Sequence, residues 1–189
     1  VAGLESDAAA TAYMSAIRNS TVIAGALEGS LPFEWAPTRM VSDDPAKGLG
    51  LAPREDLFLP RLREITGDPM RDLQLVSPYF VPTRAGVDAF TGFARDGVHV
   101  ALLVNSLAAT DVDAVHSGYT RRRKPLLEAG IRLFEMRRVS EVEPARRTGI
   151  FGSAASSLHA KTFAVDRQRL FVGSFNFDPR SANLITELG

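Results

Sequence analysis

The sequence predicts an α/β fold in which a mixed central sheet is flanked by helices. Two observations support this class. Apolar segments of strand length alternate with amphipathic helical stretches from residue 72 onward, and single glycines end the helical stretches. The 189 residues are enough for one sizeable domain, or for one domain with an attached segment.

The first third of the chain is less regular. Residues 4–18 are rich in alanine and have apolar residues at helical spacing, so they predict a helix. Residues 30–55 contain four prolines and read as irregular chain, whereas residues 56–65 predict a short helix that ends near Gly67. Residues 1–71 are therefore interpreted as a connecting segment, and residues 72–189 as the principal domain.

The principal domain contains the regular elements. Three strands are predicted, over residues 73–77, 98–104 and 131–135. Two helical stretches, residues 85–95 and 111–129, lie between them. Residues 149–157 are small and flexible and predict a loop. Two further strands, residues 158–165 and 169–174, are joined by a tight turn and predict a hairpin.

Composition limits the classes of function. The chain has 22 basic and 22 acidic residues, so its net charge gives no global argument for nucleic-acid binding. It has no cysteine, which excludes disulfides and cysteine-ligated zinc. No apolar run reaches the length of a membrane span. Because the sequence starts at Val1 without a methionine or a signal pattern and stops just after an apolar-polar run that has not reached a turn, we expect a fragment of a longer protein, truncated at both ends.

The candidate site lies in the predicted hairpin. Alternation along a strand would put His159 and Lys161 on one face, and Ser174 and Asn176 on one face of the next strand. An ammonium group beside an imidazole repels a metal cation and favours an anion such as phosphate. Each residue also has an ordinary explanation alone: a single histidine is more often structural, and Asp166 can simply bond the backbone of its turn. Together they indicate a phosphoester site.

These residues also carry a family resemblance. His159, Lys161, Asp166, Gly173, Ser174 and Asn176 match, without a gap, the HKD motif of the phospholipase D superfamily. The segments at residues 43–47, 77–82 and 126–130, with His116 and Tyr119, resemble the bacterial cardiolipin synthase-like branch. The resemblance implies the αβα sandwich of that superfamily, of which this chain is one HKD half-domain.

The resemblance also implies a mechanism without metal or cofactor. Two HKD histidines face each other; one attacks phosphorus to form a phosphohistidine, and the other protonates the leaving alcohol. An acidic residue, here Glu187, bonds the far nitrogen of the histidine. This chain has one motif, so we expect the first to lie in a missing N-terminal half or in the second copy of a homodimer. His159 is then the general acid and base, and Tyr79, Phe80, His116 and Tyr119 are expected to bind substrate.

The expected activity is cardiolipin synthase-like phosphatidyl transfer, or phosphodiester hydrolysis, on a phosphatidylglycerol-like lipid. The expected location is the cytoplasmic side of the bacterial inner membrane, as a peripheral protein. The basic cluster at residues 121–124 either contacts anionic lipid or forms a solvated helix face. Two alternatives remain: a homodimeric nuclease of the same superfamily, which the neutral charge disfavours, and a non-catalytic half-domain that binds lipid or acts as a scaffold.

Overall fold

The chain forms two compact units in a computed structural model that describes residues 8–110, 112–137 and 158–189. The first unit, residues 1–38, contains α1 (Ala8–Arg18) and α2 (Thr21–Glu28). The Ser20 side chain accepts the amide of Ile23 at 3.4 Å and caps α2 at its N-terminus. The helix predicted at residues 4–18 is thus found from Ala8 onward, and its first residues and the 149–157 loop lie outside the described part. Among the described helices, none has the length and apolar character needed to cross a bilayer.

The second unit, residues 39–189, holds the predicted α/β fold. Its helices are two short 3-10 helices (Pro45–Leu49 and Arg54–Asp56), α3 (Phe58–Thr66), α4 (Arg84–Arg95), α5 (Asp113–Glu128) and α6 (Pro179–Asn183). Its strands are β1 (Asp72–Val76), β2 (His99–Asn105), β3 (Arg132–Met136), β4 (Thr162–Val165) and β5 (Arg169–Val172). The predicted α/β class is confirmed.

The five strands form one mixed sheet in the order β3-β2-β1-β4-β5. Strands β1, β2 and β3 are parallel, and the helical crossovers α4 and α5 connect them. Strands β4 and β5 form the predicted hairpin, and β4 joins the sheet antiparallel to β1, with Leu73 opposite Val165.

One face of this sheet carries the core. Successive residues of β2 alternate between this face and the other, and Val100, Leu102 and Val104 on this face are buried. Helix α4 adds Val87 and Phe90, and helix α5 adds Tyr119 and Leu126. The opposite face is more open: Phe134, Leu170 and Val172 are 52–71% exposed. A cluster of aromatic side chains forms part of this core: Phe58, Phe80, Phe90, Phe163, Phe171, Phe175 and Phe177.

The compact unit begins earlier in the sequence than the boundary predicted at residue 72. Phe58 and Leu62 of α3 are buried in its core. Val41 exchanges two backbone hydrogen bonds of 2.9 Å with Gly189, near the other end of the unit in sequence. The irregular chain after residue 38 therefore packs as part of the α/β unit, because its apolar residues and its backbone are paired there.

A buried ion pair fixes this early segment. The Lys47 ammonium lies 2.5 Å from the Asp43 carboxylate, and both side chains are at most 1% exposed. Lys47 also donates to the carbonyl of Ser181 at 2.7 Å. Asp43 accepts the amides of Phe58 at 2.7 Å and Glu187 at 3.0 Å. Each charge is therefore surrounded by hydrogen-bond partners, as a buried ion pair requires.

Asp166 begins the turn of the β4–β5 hairpin. Asp166 and Arg167 have φ values of 54° and 57°, the left-handed conformation that a tight hairpin turn needs. The Asp166 carboxylate accepts the amides of Met70, Arg71 and Asp72 at 2.8–3.1 Å, which ties the turn to the start of β1. These backbone amides, chiefly those of Asp72 and Arg71, hold the pKa of the Asp166 carboxyl below its usual range.

We expect Lys47→Met to lower the free energy of unfolding by about 3–5 kcal/mol, because it leaves the buried Asp43 carboxylate without its counter-charge. Lys124→Met is the matched control, since Lys124 pairs with Glu128 at 3.8 Å in an exposed position. Its expected effect is about 0–1 kcal/mol. Urea unfolding measures both values, and equal losses in the two variants would contradict a structural role for the buried pair.

Asp166→Asn tests whether the charged Asp166 carboxylate stabilises the fold through its hydrogen bonds to the backbone amides at the start of β1. A carboxyl whose pKa is lowered in the folded state stabilises the fold above its unfolded pKa of about 3.9, and this contribution is lost as pH falls through the folded value. The wild type should therefore be more stable than Asp166→Asn at pH 7, and the difference should shrink below about pH 4. Asp88→Asn, at an exposed position of α4, is the control. If the free energies of unfolding of wild type and Asp166→Asn differ by an amount that is independent of pH, the charge of the carboxylate is not what stabilises the fold.

Candidate active site

The predicted catalytic segments meet at one edge of the sheet. The carboxyl ends of the parallel strands lie there, and ligands of open α/β sheets commonly bind at such an edge. Thr162, the first residue of β4, pairs with Val76 at the end of β1 and with Val172 at the end of β5. Residues 159–161 enter β4 at this edge, and residues 173–176 leave β5 at the same edge.

The strands are shorter here than the sequence predicts. His159 and Lys161 precede β4, and Ser174 and Asn176 follow β5, so the strand alternation assumed for these pairs does not apply. Beyond the ladder, the amide of Gly173 donates to the carbonyl of Lys161 at 3.1 Å, and the amide of Ser174 donates to the carbonyl of Leu188 at 2.8 Å. These side chains are instead brought together by direct contacts, between Lys161 and His159 and between Ser174 and Glu187.

His159 and Lys161 contact each other. The Lys161 Nζ atom lies 3.1 Å from His159 Nε2 and 3.1 Å from the His159 carbonyl oxygen. An ammonium group can only donate, so Nε2 accepts and the ring proton of a neutral His159 lies on Nδ1. His159 is exposed and Lys161 is half-buried, so the pair is open to solvent at the sheet edge.

The Gly173–Ser174 step is packed against the last residues of the chain. A side chain at Gly173 would collide with the carbonyl of Leu188 and the ring of Phe171, so only glycine fits. The Ser174 hydroxyl donates to the Glu187 carboxylate and accepts the amide of Leu188, the latter at 3.0 Å. Ser174 is thus held at this edge by the C-terminal segment.

Asn176, two residues after Ser174, is buried. Its amide donates to the Ser181 hydroxyl at 3.3 Å. Its side-chain oxygen is buried and has no hydrogen-bond partner within the part of the chain that the structure describes. The oxygen and nitrogen of a side-chain amide are assigned from their hydrogen bonds, so the opposite orientation would present a donor at this position.

Glu187 is buried and its carboxylate contacts Ser174. Its backbone carbonyl accepts the amide of Asp43 at 2.9 Å, and its backbone amide donates to the Asp43 carboxylate at 3.0 Å. The hydrogen bond that the His159 ring is expected to donate to the Glu187 carboxylate stays a prediction. Sequence reasoning missed Asp43 and Lys47 as the support of Glu187. The available signal was their i, i+4 spacing of opposite charges in a proline-rich stretch, which a loop on the surface would show equally well.

The residues predicted to bind substrate lie mostly in the core. Phe80 is 1% exposed and packs edge-on against Phe90 and Tyr119, with ring centroids 5.4 Å and 6.3 Å apart. Burial, with the neighbouring Glu135 carboxylate, raises the pKa of Tyr119 to about 12. Tyr79 is half-buried, and its carbonyl accepts the Ser77 hydroxyl. The substrate-binding role stays a prediction, which the burial of Phe80 and Tyr119 does not favour.

His116 is buried beside Tyr119, and their rings meet edge-on with centroids 5.7 Å apart. His116 Nδ1 and the Tyr119 hydroxyl have no hydrogen-bond partner among the described residues. Both residues line a cavity of about 10 Å³, close to the volume that a single water requires. The other residues around it are Pro78, Phe80, Val104, Asn105, Thr110 and Val115. At this size the cavity is too small for a lipid headgroup.

Comparisons with known proteins agree with this architecture. The model of the family "Cardiolipin synthase, PLD-like domain" matches residues 67–189. The chain is 47% identical over its whole length to cardiolipin synthase C of Escherichia coli (strain K12), of which it spans 40%. It is 34% identical over 113 residues, 60% of the chain, to an uncharacterized protein of Helicobacter pylori (strain ATCC 700392 / 26695), of which it spans 22%.

Among solved structures, the fold is similar to that of Nuc from Salmonella typhimurium, a phospholipase D family member. The TM-score is 0.51 at 15% identity, over 79% of this chain and 78% of that one. This likeness concerns the fold alone. The family match covers more than half of the chain, and the relative from Escherichia coli matches all of it, so the predicted resemblance is confirmed. The chain belongs to the cardiolipin synthase-like branch of the phospholipase D superfamily.

Proposed function

We propose that this chain forms one half of the active site of an enzyme that transfers a phosphatidyl group, as a cardiolipin synthase does. The observation that carries the proposal is the contact of 3.1 Å between Lys161 and Nε2 of the exposed His159, at the carboxyl edge of the sheet. The identity of 47% to a protein named cardiolipin synthase C supports the choice of substrate class. The chain spans 40% of that relative, so the proposal concerns the enzyme of which this half-domain is a part.

The Lys161 ammonium gives the site its affinity for phosphate. It donates to His159, at both the ring and the carbonyl. The non-bridging oxygens of a phosphodiester are stronger acceptors than a neutral imidazole, because they carry negative charge. We expect Lys161 to turn to these oxygens when substrate binds, which frees Nε2 next to the phosphorus and its bridging oxygens.

The reaction then proceeds in two displacements. Once Lys161 has left Nε2, His159 takes up a proton there and becomes an imidazolium. The histidine of a second HKD motif attacks phosphorus and breaks its bond to the leaving alcohol, and His159 gives that alcohol the Nε2 proton and becomes neutral. His159 then takes the proton of an acceptor hydroxyl, whose oxygen attacks the phosphohistidine and releases the first histidine. No metal ion or cofactor takes part in this scheme. The second motif belongs to another part of the full-length enzyme or to a second copy.

A lipid substrate places the enzyme at a bilayer surface. We propose peripheral association with the cytoplasmic side of the bacterial inner membrane. The basic cluster at residues 121–124 gives this limited support, because two of its four charges are already paired: Arg123 with Glu135 at 2.6 Å and Lys124 with Glu128 at 3.8 Å. Arg121 is exposed, and it is the member best placed to meet anionic lipid.

In the full-length enzyme, His159→Ala should lower turnover by a factor of about 10²–10⁴, because the leaving alcohol loses its proton donor. The fold should be unchanged, since the His159 side chain is exposed. His99→Ala is the matched control, with a side chain that is 79% exposed at the start of β2, the opposite edge of the sheet. Conversion of phosphatidylglycerol to cardiolipin and the thermal unfolding midpoint are measured together. Wild-type turnover in a folded His159→Ala enzyme would refute the assignment of His159 as the general acid.

Substrate class is tested in parallel on two phosphodiesters. We expect the full-length wild type to consume phosphatidylglycerol in mixed vesicles and to leave plasmid DNA intact in the presence of a metal chelator. Cleavage of the plasmid with no change in the lipid would instead favour the nuclease of the same superfamily. Inertness on both, with a folded protein, would favour a non-catalytic half-domain.

A further inference from the structure

We propose that Asn105 is a positioning residue that fixes the catalytic His159 through the backbone of Leu158, an inference that rests on the proposed function above. Asn105 is the last residue of β2 and is 3% exposed. Its side-chain Nδ2 donates to the carbonyl of Leu158 at 3.0 Å, and its Oδ1 accepts the amide of Leu158, also at 3.0 Å.

The two hydrogen bonds together fix an orientation that one alone would leave free. A carboxamide that bonds the amide and the carbonyl of the same residue acts as a strand neighbour does, because it satisfies both backbone groups at once. Leu158 then has a defined distance and rotation relative to β2. His159 is the next residue, so its backbone starts from a fixed point. The burial of Asn105 keeps water from competing for these bonds.

The segment from Leu158 to Lys161 is also anchored at its far end. The Lys161 carbonyl accepts the amide of Gly173 at 3.1 Å, and β4 begins at the next residue. The exposed His159 ring lies between the two anchors. Loss of the Asn105 anchor would leave His159 attached through the β4 side alone, and the geometry of proton transfer depends on its position.

Asparagine is an unusual residue at this position. Residues 98–104 are apolar apart from His99, and asparagine is disfavoured in strands. Asn105 is also one of the residues around the 10 Å³ cavity beside His116. An apolar residue would fill such a place more favourably, unless the polar atoms have partners. Leu158 supplies a partner to both amide atoms of Asn105.

We call the two hydrogen bonds between Asn105 and Leu158 the tether, and two variants of the full-length enzyme test it. Asn105→Leu removes both hydrogen bonds and keeps the branching of the side chain, with two methyl groups in place of the amide oxygen and nitrogen. Asn105→Asp keeps the acceptor but places a charge against the Leu158 carbonyl at neutral pH; when protonated, it again offers one donor and one acceptor. Asn19→Asp, an exposed position of the first unit, is the matched control. Turnover of phosphatidylglycerol is measured from about pH 5.5 to 8, a range in which a buried carboxyl can titrate.

We expect Asn105→Leu to lower kcat by up to about 100-fold with KM unchanged, because binding does not require the exact position of Nε2 whereas proton transfer does. For Asn105→Asp, the ratio of its kcat to that of the wild type should rise as pH falls, and the ratio for Asn19→Asp should stay flat. Wild-type kcat in a folded Asn105→Leu enzyme, or a flat ratio for Asn105→Asp, would overturn the proposal. If Asn105→Leu does not fold, the Asn105→Asp profile decides alone.

A measurement that needs no activity separates this inference from the proposed function. Hydrogen–deuterium exchange of the peptide containing Leu158 should be faster in Asn105→Leu than in wild type, with exchange in β2 and β4 unchanged. Faster exchange in an enzyme that is inert even as wild type would uphold the tether and reject the function. Unchanged exchange at Leu158 would reject the tether whatever the activity.

Discussion

The buried ion pair between Asp43 and Lys47 is the interaction on which the candidate site depends. Through its hydrogen bonds it joins the start of the α/β unit to the N-terminal end of α3, to Ser181 in α6 and to the backbone of Glu187. Glu187 in turn holds the Ser174 hydroxyl. A charge pair with these partners is satisfied only when all four segments are in place, so it favours one arrangement of the C-terminal chain over others that bury the same apolar surface.

The site itself is assembled from residues next to the ends of strands. His159 and Lys161 lie in the few residues before β4, and Ser174 lies two residues after β5. Residues at the ends of strands lose little conformational entropy when substrate binds, because the sheet has already ordered them. The hairpin turn at Asp166 lies at the opposite edge, where its carboxylate fixes β4 to the start of β1. The same hairpin is therefore secured at one edge and offers its side chains at the other.

Local patterns predicted much of this. Apolar runs and glycine stops located all five strands. Strand alternation was expected to put His159 and Lys161 on one face; the two residues contact each other, although both precede β4. The limits of β4 could not be predicted, because the segment before it pairs with the side chain of Asn105 and not with a strand. The partner of Glu187 depends on contacts more than a hundred residues apart in sequence. Phe80 was expected at a binding surface and is buried, since an aromatic residue at a strand end has the same local pattern in either place.

The pairing of β1 with β4 has a consequence for how the protein folds. Leu73 and Val165 are opposite each other in the sheet although the whole crossover region of the chain separates them. The parallel strands and the β4–β5 hairpin can each form from shorter loops, whereas their union must close a much longer one. We expect this step to come late in folding. The edge that carries His159 forms only when β1 and β4 have paired. Until then, the unpaired sides of these two strands are exposed and can pair with other chains.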